Sequence, residues 1–182
     1  ATEIRCGRLQ PGQRIPARSD LKKKFNTTNI TIQRAFDHLV AEGILTTMPR
    51  QGTFIAEQPP CLHRFALIFT SNRGDMGWRG MDETLWNLCE QKQKSGSTHF
   101  VFYEDLEEAT EKNFSRQLQL SDDMRMGRIA GLIFSTSTHN YADSPLFEQN
   151  DFPRLSFQTN SDTHAYAAFD TSNSKMLTHG LT

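Results

Sequence analysis

Cysteine is scarce in this chain: three among 182 residues, at positions 6, 61 and 89. An odd number so widely spaced excludes a disulfide framework and shows no zinc spacing, so reduced thiols are expected. The six histidines show no ligand spacing either, and no metal site is expected. Long apolar runs are missing too. Stretches such as Phe65 to Phe69 are strand-sized, too short for a membrane span or the core of a signal peptide, so neither is expected. Phosphate loops are also lacking. Gly127-x-x-x-Gly131 and Gly74-x-x-Gly77-x-x-Gly80 hold glycines, but no Gly-Lys-Ser/Thr follows, and Gly-x-Gly-x-x-Gly is absent. With no Gly-x-Ser-x-Gly elbow as well, an enzyme is not expected, nor a cofactor.

Net charge is nearly absent, at −1, yet that total conceals two unlike parts. Up to Glu57 there are nine Lys or Arg against five Asp or Glu, a net of +4; from Gln58 onward eleven stand against sixteen, a net of −5. A basic N-terminal part joined to an acidic remainder fits a nucleic-acid reader attached to something else. Between them, the adjacent prolines of Gln58-Pro59-Pro60-Cys61-Leu62-His63 predict a stiff, extended linker.

The basic part is rich in local signals. Pro16 holds the chain extended ahead of a helix starting near Ala17 or Arg18 and ending near Phe25. Leu21 and Phe25, four apart, share its inner face, and Lys22, Lys23 and Lys24 point mainly outward. Asn26-Thr27 forms a turn, because Asn tolerates the left-handed conformation of a helix exit. Thr28 suits the N-cap of a second helix running to about Glu42, on which Ile32, Phe36, Leu39 and Val40 repeat at helical spacing toward the core. Ile44 to Thr47 and Thr53 to Ala56 read as paired strands with Met48 to Gly52 as their tip. The outward face of the second helix carries Asn29, Ile30, Gln33, Arg34 and Asp37. Its N-terminal half is the part of a helix-turn-helix that enters a major groove. Gln33 can bond an adenine edge and Ile30 can meet a thymine methyl, whereas Thr28, Thr31 and Arg34 suit phosphates.

These residues resemble the GntR family of bacterial transcription regulators. Gly7, Leu9, Pro11, Gly12, Ile15, Pro16, Leu21, Thr28, Thr31, Ile32, Ala35, Phe36, Leu39, Glu42, Gly43, Gly52, Thr53 and Phe54 fall on the family pattern over residues 1–57 without a gap. The resemblance implies a winged helix-turn-helix whose wing, through Arg50, Gln51 and Gly52, reaches the neighbouring minor groove. Two positions depart from it. Ser19 stands where the family has an Arg that contacts phosphate, so Arg18 is expected to act in its place, and Asn29 replaces an Arg at the start of the recognition helix, so base preference should differ. The family's first helix is cut short, with only Ala1 to Cys6 present.

Beyond residue 63 strands and helices alternate. Strands are predicted at Phe65 to Phe69, His99 to Tyr103, Ile129 to Phe134, Arg154 to Phe157 and Tyr166 to Phe169. Helices are predicted at Gly80 to Lys94, at Glu108 to Arg125 packing through Phe114, Leu118 and Met124, at Pro145 to Gln149, and from Ser172 to Leu181. That order predicts a mainly parallel sheet with right-handed crossovers. It is similar to the sugar-sensing domain of LacI-type repressors, a periplasmic-binding-protein-like fold, and the joint arrangement looks like that of the AraR group. The expected architecture is therefore an α+β winged helix-turn-helix over 1–57, a linker over 58–63, and an α/β effector-binding and dimerisation domain over 64–182. The last supplies only the first lobe of two, so a fragment of a longer regulator is expected.

Open α/β sheets bind ligands beyond the C-terminal ends of their strands. The candidates there are Asn72, Asp75, Trp78, Asp105, Ser135, Gln158 and Asp170, since an indole face stacks on a sugar ring and carboxylates accept hydroxyl hydrogens. A receiver domain is disfavoured because Ser135 stands where its acidic residue belongs. An aminotransferase-like body is disfavoured because Lys175 is the only lysine after Lys112 and has no suitable surroundings. The expected function is a sequence-specific transcription regulator, a cytoplasmic, nucleoid-associated repressor, controlled by a small sugar-like effector. Its expected partners are double-stranded DNA with a palindromic operator and a second copy of itself, with no membrane. The alternative is a GntR-headed regulator whose C-terminal domain only dimerises or binds a protein partner.

Overall fold

The computed structural model describes residues 1–96, 98–106, 110–138, 141, 143–148 and 152–157, and the backbone of 167–169 and 176–177. The chain divides into two compact units, Ala1–His63 and Arg64–Thr182.

In the first unit, α1 spans Thr2–Arg5, α2 Arg18–Phe25, α3 Asn29–Ala41, β1 Leu45–Met48, β2 Gly52–Ile55 and α4 Pro60–His63. Asn26 ends α2 at φ 46°, ψ 54°, as its short polar side chain permits. Thr28 then caps α3, its side chain accepting from the Thr31 amide at 3.2 Å. Ile32 and Phe36 are buried with Ile44, Leu45 and Ile55, and Leu21 and Leu39 pack against them. Each large apolar side chain buried there contributes about 2 kcal/mol. Phe25 and Val40 do not join this core; they are 62% and 39% exposed. Ile32, Phe36 and Leu39, at i, i+4 and i+7, complete the buried stripe, and Val40 lies one residue round from it. Phe25 belongs to the last turn of α2, beyond the point where Leu21 docks.

The segment before Pro16 widens the wing. Amides and carbonyls of Gly12, Gln13 and Ile15 pair with Ile55 and Thr53 at 2.8–3.0 Å, and Arg14 bridges antiparallel to Phe54. The β1–β2 hairpin thus gains a short third strand.

The expected linker is not extended. Pro59 is buried, Pro60 opens the one-turn helix α4, and Cys61, 1% exposed, belongs to the first unit's core. Proline at a first helical position loses no hydrogen bond and has its φ preset, so the Pro-Pro pair starts a turn whose apolar residues can be buried.

The second unit holds β3 Arg64–Ile68, α5 Gly80–Ser95, β4 His99–Tyr103, α6 Glu111–Met126, β5 Gly131–Phe134, a 3₁₀ turn Pro145–Phe147, β6 Arg154–Ser156, β7 Ala167–Phe169 and β8 Met176–Leu177. Strand order is β4-β3-β5-β6-β7-β8, parallel throughout except for the last pair. Met176–Leu177 is therefore strand, where a helix from Ser172 is predicted; pairing with Phe169 and Ala168 overrides the local signal. Successive residues of β3 enter opposite cores, as its unbroken apolar run requires. Ala66 and Ile68 pack with Leu120 and Met124 of α6, and Leu67 and Phe69 pack with Leu85 and Cys89 of α5. Helices on both faces and the reversal of order about β3 make this a doubly wound sheet.

Of the three residues expected to pack α6, only Met124 enters the core. The buried residues of the helix are Asn113, Gln117, Leu120, Ser121 and Met124, whereas Phe114 and Leu118 are 53% and 41% exposed. Gln117 explains the rotation: its amide donates to the Leu106 carbonyl at 2.9 Å and accepts from the Ser144 hydroxyl at 2.8 Å. A buried polar side chain with both ends satisfied can replace an apolar one.

Candidate nucleic-acid interface

The outward surface of α3 opens with Asn29, Ile30 and Thr31, all exposed, and continues through half-buried Gln33 to exposed Arg34 and Asp37. Ile30 is 67% exposed, so its side chain is accessible on this face. The Thr31 hydroxyl lies 2.9 Å from that of Thr28, so both threonines are ordered at the helix start. Gln33 is held from both sides: Arg18 Nη1 donates to its amide oxygen, and its amide nitrogen donates to Asp37 Oδ1 at 2.6 Å. The Arg18 guanidinium also lies over the Phe36 ring, 5.4 Å from its centroid. Arg18 therefore stands against the middle of α3.

At the wing tip Arg50 has φ 63° and Gly52 φ 119°. The latter is a conformation that only glycine adopts without strain, so Gly52 sets the turn that presents Arg50 and Gln51, both exposed. Between the wing and the start of α2 lies a cleft of about 760 Å³, lined among others by Arg14, Arg18, Phe36, Arg50 and Gln51. Sequence reasoning missed Arg14. The available signal was Ile15, an inward-facing residue whose neighbour in an extended segment must face outward.

Residues 1–55 match the family described as bacterial regulatory proteins, gntR family. Over 95 residues, 52% of this chain and 38% of the relative, the chain is 33% identical to the probable fructoselysine utilization operon transcriptional repressor of Escherichia coli (strain K12). Over 80 residues, 44% of this chain and 32% of the relative, it is 32% identical to the HTH-type transcriptional repressor NagR of Bacillus subtilis (strain 168). Over 96 residues, 52% and 38% of the two chains, it is 38% identical to the histidine utilization repressor of Pseudomonas putida. The chain thus spans less than two-fifths of the length of these relatives. The GntR-like unit contains all ten residues expected to meet DNA: Arg18 in α2, Thr28, Asn29, Ile30, Thr31, Gln33 and Arg34 at and in α3, and Arg50, Gln51 and Gly52 at the wing.

Of the expected effector residues of the second unit, Asp105 and Ser135 stand just past β4 and β5, and Asn72, Asp75 and Trp78 lie between β3 and α5. Asn72 and Asp75, exposed after β3, hydrogen-bond to each other at 3.0 Å. Asp105, after β4, has φ 50°. Ser135, after β5, is fully buried, and its hydroxyl has no hydrogen-bond partner among the described residues. Trp78 packs into an aromatic group, 4.8 Å from Phe69 and 5.8 Å from Trp86 by ring centroids, and its indole donates to Glu83 at 2.9 Å. The Arg73 guanidinium beside Glu83, helped by that indole, holds the carboxyl below its usual value. Gln158 and Asp170 lie outside the described residues. No group of three or more potential metal ligands occurs among the described residues, and no described helix is long and apolar enough to cross a membrane.

Proposed function

We propose that this chain is the DNA-reading and part of the effector-sensing portion of a transcription repressor. The observation that carries the reading is the exposed N-terminal face of α3, with Ile30 uncovered and Gln33 held in place, beside a wing cleft lined by arginines. Asn29, Ile30 and Gln33 read base edges in the major groove, and Thr28, Thr31, Arg34 and Arg18 meet phosphates. Arg50, Gln51 and Gly52 reach the adjacent minor groove.

For the second unit the reading is a LacI-type, periplasmic-binding-protein-like sensor in an AraR-like arrangement, which binds a sugar-like effector and forms a homodimer on a palindromic operator. Three observations support it. The strand order reverses between β3 and β5, where open α/β sheets bind ligands. The Ser135 hydroxyl is buried beside that reversal with no hydrogen-bond partner among the described residues. Two of the relatives named above bear the names probable fructoselysine utilization operon transcriptional repressor and histidine utilization repressor. Effector binding acts on DNA only if it prefers one dimer arrangement, and coupling of about 1–3 kcal/mol is typical.

Selection of binding sites from random duplex DNA, repeated with pooled sugars, tests the reading. Enrichment of a two-fold symmetric site that one sugar weakens is the expected result. A symmetric site indifferent to every sugar leaves the second unit as a dimerisation module only. No enrichment at low salt sinks the DNA reading.

A further inference from the structure

Arg14 lines the wing cleft but is given no contact above, and its position is defined by backbone pairing. Within the short third strand of the wing, Ile15 turns inward to the core, and the alternation of a strand turns Arg14 outward. Its cross-strand partner is Phe54, so Gly52 is its diagonal neighbour. The Arg14 guanidinium lies over Gly52: Nε and Nη2 stand 3.0 and 3.3 Å from the position a Cβ would take. The side chain therefore crosses toward the wing tip through space that any other residue at 52 would contest. Arg14 forms no ion pair among the described residues, and no carboxylate lines the cleft that it shares with Arg18 and Arg50.

We propose that this cleft is a binding site for a DNA backbone phosphate and that Arg14 is its principal ligand. The inference rests on the DNA reading above and extends it. A planar guanidinium meets a phosphodiester with two parallel hydrogen bonds, and three cations with no opposing carboxylate leave a field that only an anion can balance. The opening is far larger than one phosphate ion, which favours a strand passing through it. Because Arg18 borders the cleft and also bonds Gln33 on α3, a strand held there runs beside the groove that α3 enters.

The test is titration of the full chain against a mixed-sequence duplex across a range of salt. Arg14→Ala should weaken binding several-fold on every duplex and lower the slope of log affinity against log salt by about 0.9, the value for one phosphate contact. Arg14→Lys should keep the slope, and Arg8→Ala, which removes an ion pair with Glu3 remote from the cleft, should match wild type. If Arg14→Ala lowers the melting temperature, Arg14→Gln at wild-type melting temperature should still lose the slope. A wild-type slope in these neutral variants overturns the proposal. So does inorganic phosphate that binds wild type but not Arg14→Ala and yet leaves duplex binding unchanged at matched ionic strength, which assigns the cleft to a free anion. Failure of the wild-type chain to bind any duplex overturns the DNA reading, and this proposal with it.

Discussion

Gln33 Nε2 donates to Asp37 Oδ1 across 2.6 Å, one turn further along α3. With Arg18 bonded to its oxygen, the Gln33 amide has a fixed sense: nitrogen toward Asp37, oxygen toward Arg18. One N–H and one lone pair remain, which is what an adenine edge requires.

Gln33→Ala should therefore relax base choice at one position and weaken the preferred site by about 1–3 kcal/mol, with little change on random duplex. Arg34→Ala should do the reverse, weakening all duplexes and flattening the salt dependence. Binding curves on selected and random DNA for both variants check this. Equal losses on both substrates would mean that the DNA-facing side of α3 is misassigned.

Thr28→Ala removes the oxygen that accepts from the Thr31 amide and should destabilise the first unit by about 1 kcal/mol. Thr28→Ser should restore most of it. Chemical denaturation followed by circular dichroism measures the difference.

Arg154 is 4% exposed and donates to the carbonyls of Leu146 and Phe152 at 2.6–3.2 Å, closing the 3₁₀ turn over the sheet. Arg154→Ala strands those acceptors and should destabilise the second unit by about 3 kcal/mol. Both tryptophans, Trp78 and Trp86, lie in this unit, so their fluorescence reports its unfolding selectively. A wild-type midpoint would show that the carbonyls are satisfied some other way.

Burial pushes the Cys89 thiol from 9.0 up to about 11 and raises that of Cys61 as well. Below pH 9 the thiol is protonated whether folded or not. Above it the unfolded chain ionises first, so the second unit should lose stability as pH rises toward 11. Cys89→Ala should flatten that decline in the tryptophan signal. With alkylating reagent, exposed Cys6 should label first; Cys61 and Cys89 should label only as their own units open.

Much of the first unit was legible because its signals are local. Pro16, Asn26, Thr28 and Gly52 each act through the φ or the cap of a single position, and Ile32, Phe36 and Leu39 share a helical period. Arg14 was not legible, since its role depends on Gln13 and Ile15 pairing with residues some forty positions later. In the second unit the run Phe65 to Phe69 marked a strand buried on both faces. The rotation of α6 was hidden because Phe114 and Leu118 supply the stronger apolar pattern, and only the Leu106 carbonyl and the Ser144 hydroxyl show why Gln117 goes inside.

Propensity, capping and periodicity act between near neighbours, so the two-part organisation, the helix-turn-helix with its outward face, and the alternation of strands and helices can all be read along the chain. Tertiary structure alone decided what requires distant partners. It drew Pro60–His63 into the first core, turned α6 onto its polar stripe, paired Met176–Leu177 with β7, and laid Arg14 across Gly52. Each outcome depends on which surface or hydrogen-bonding group another part of the chain offers, and a linear pattern does not record that.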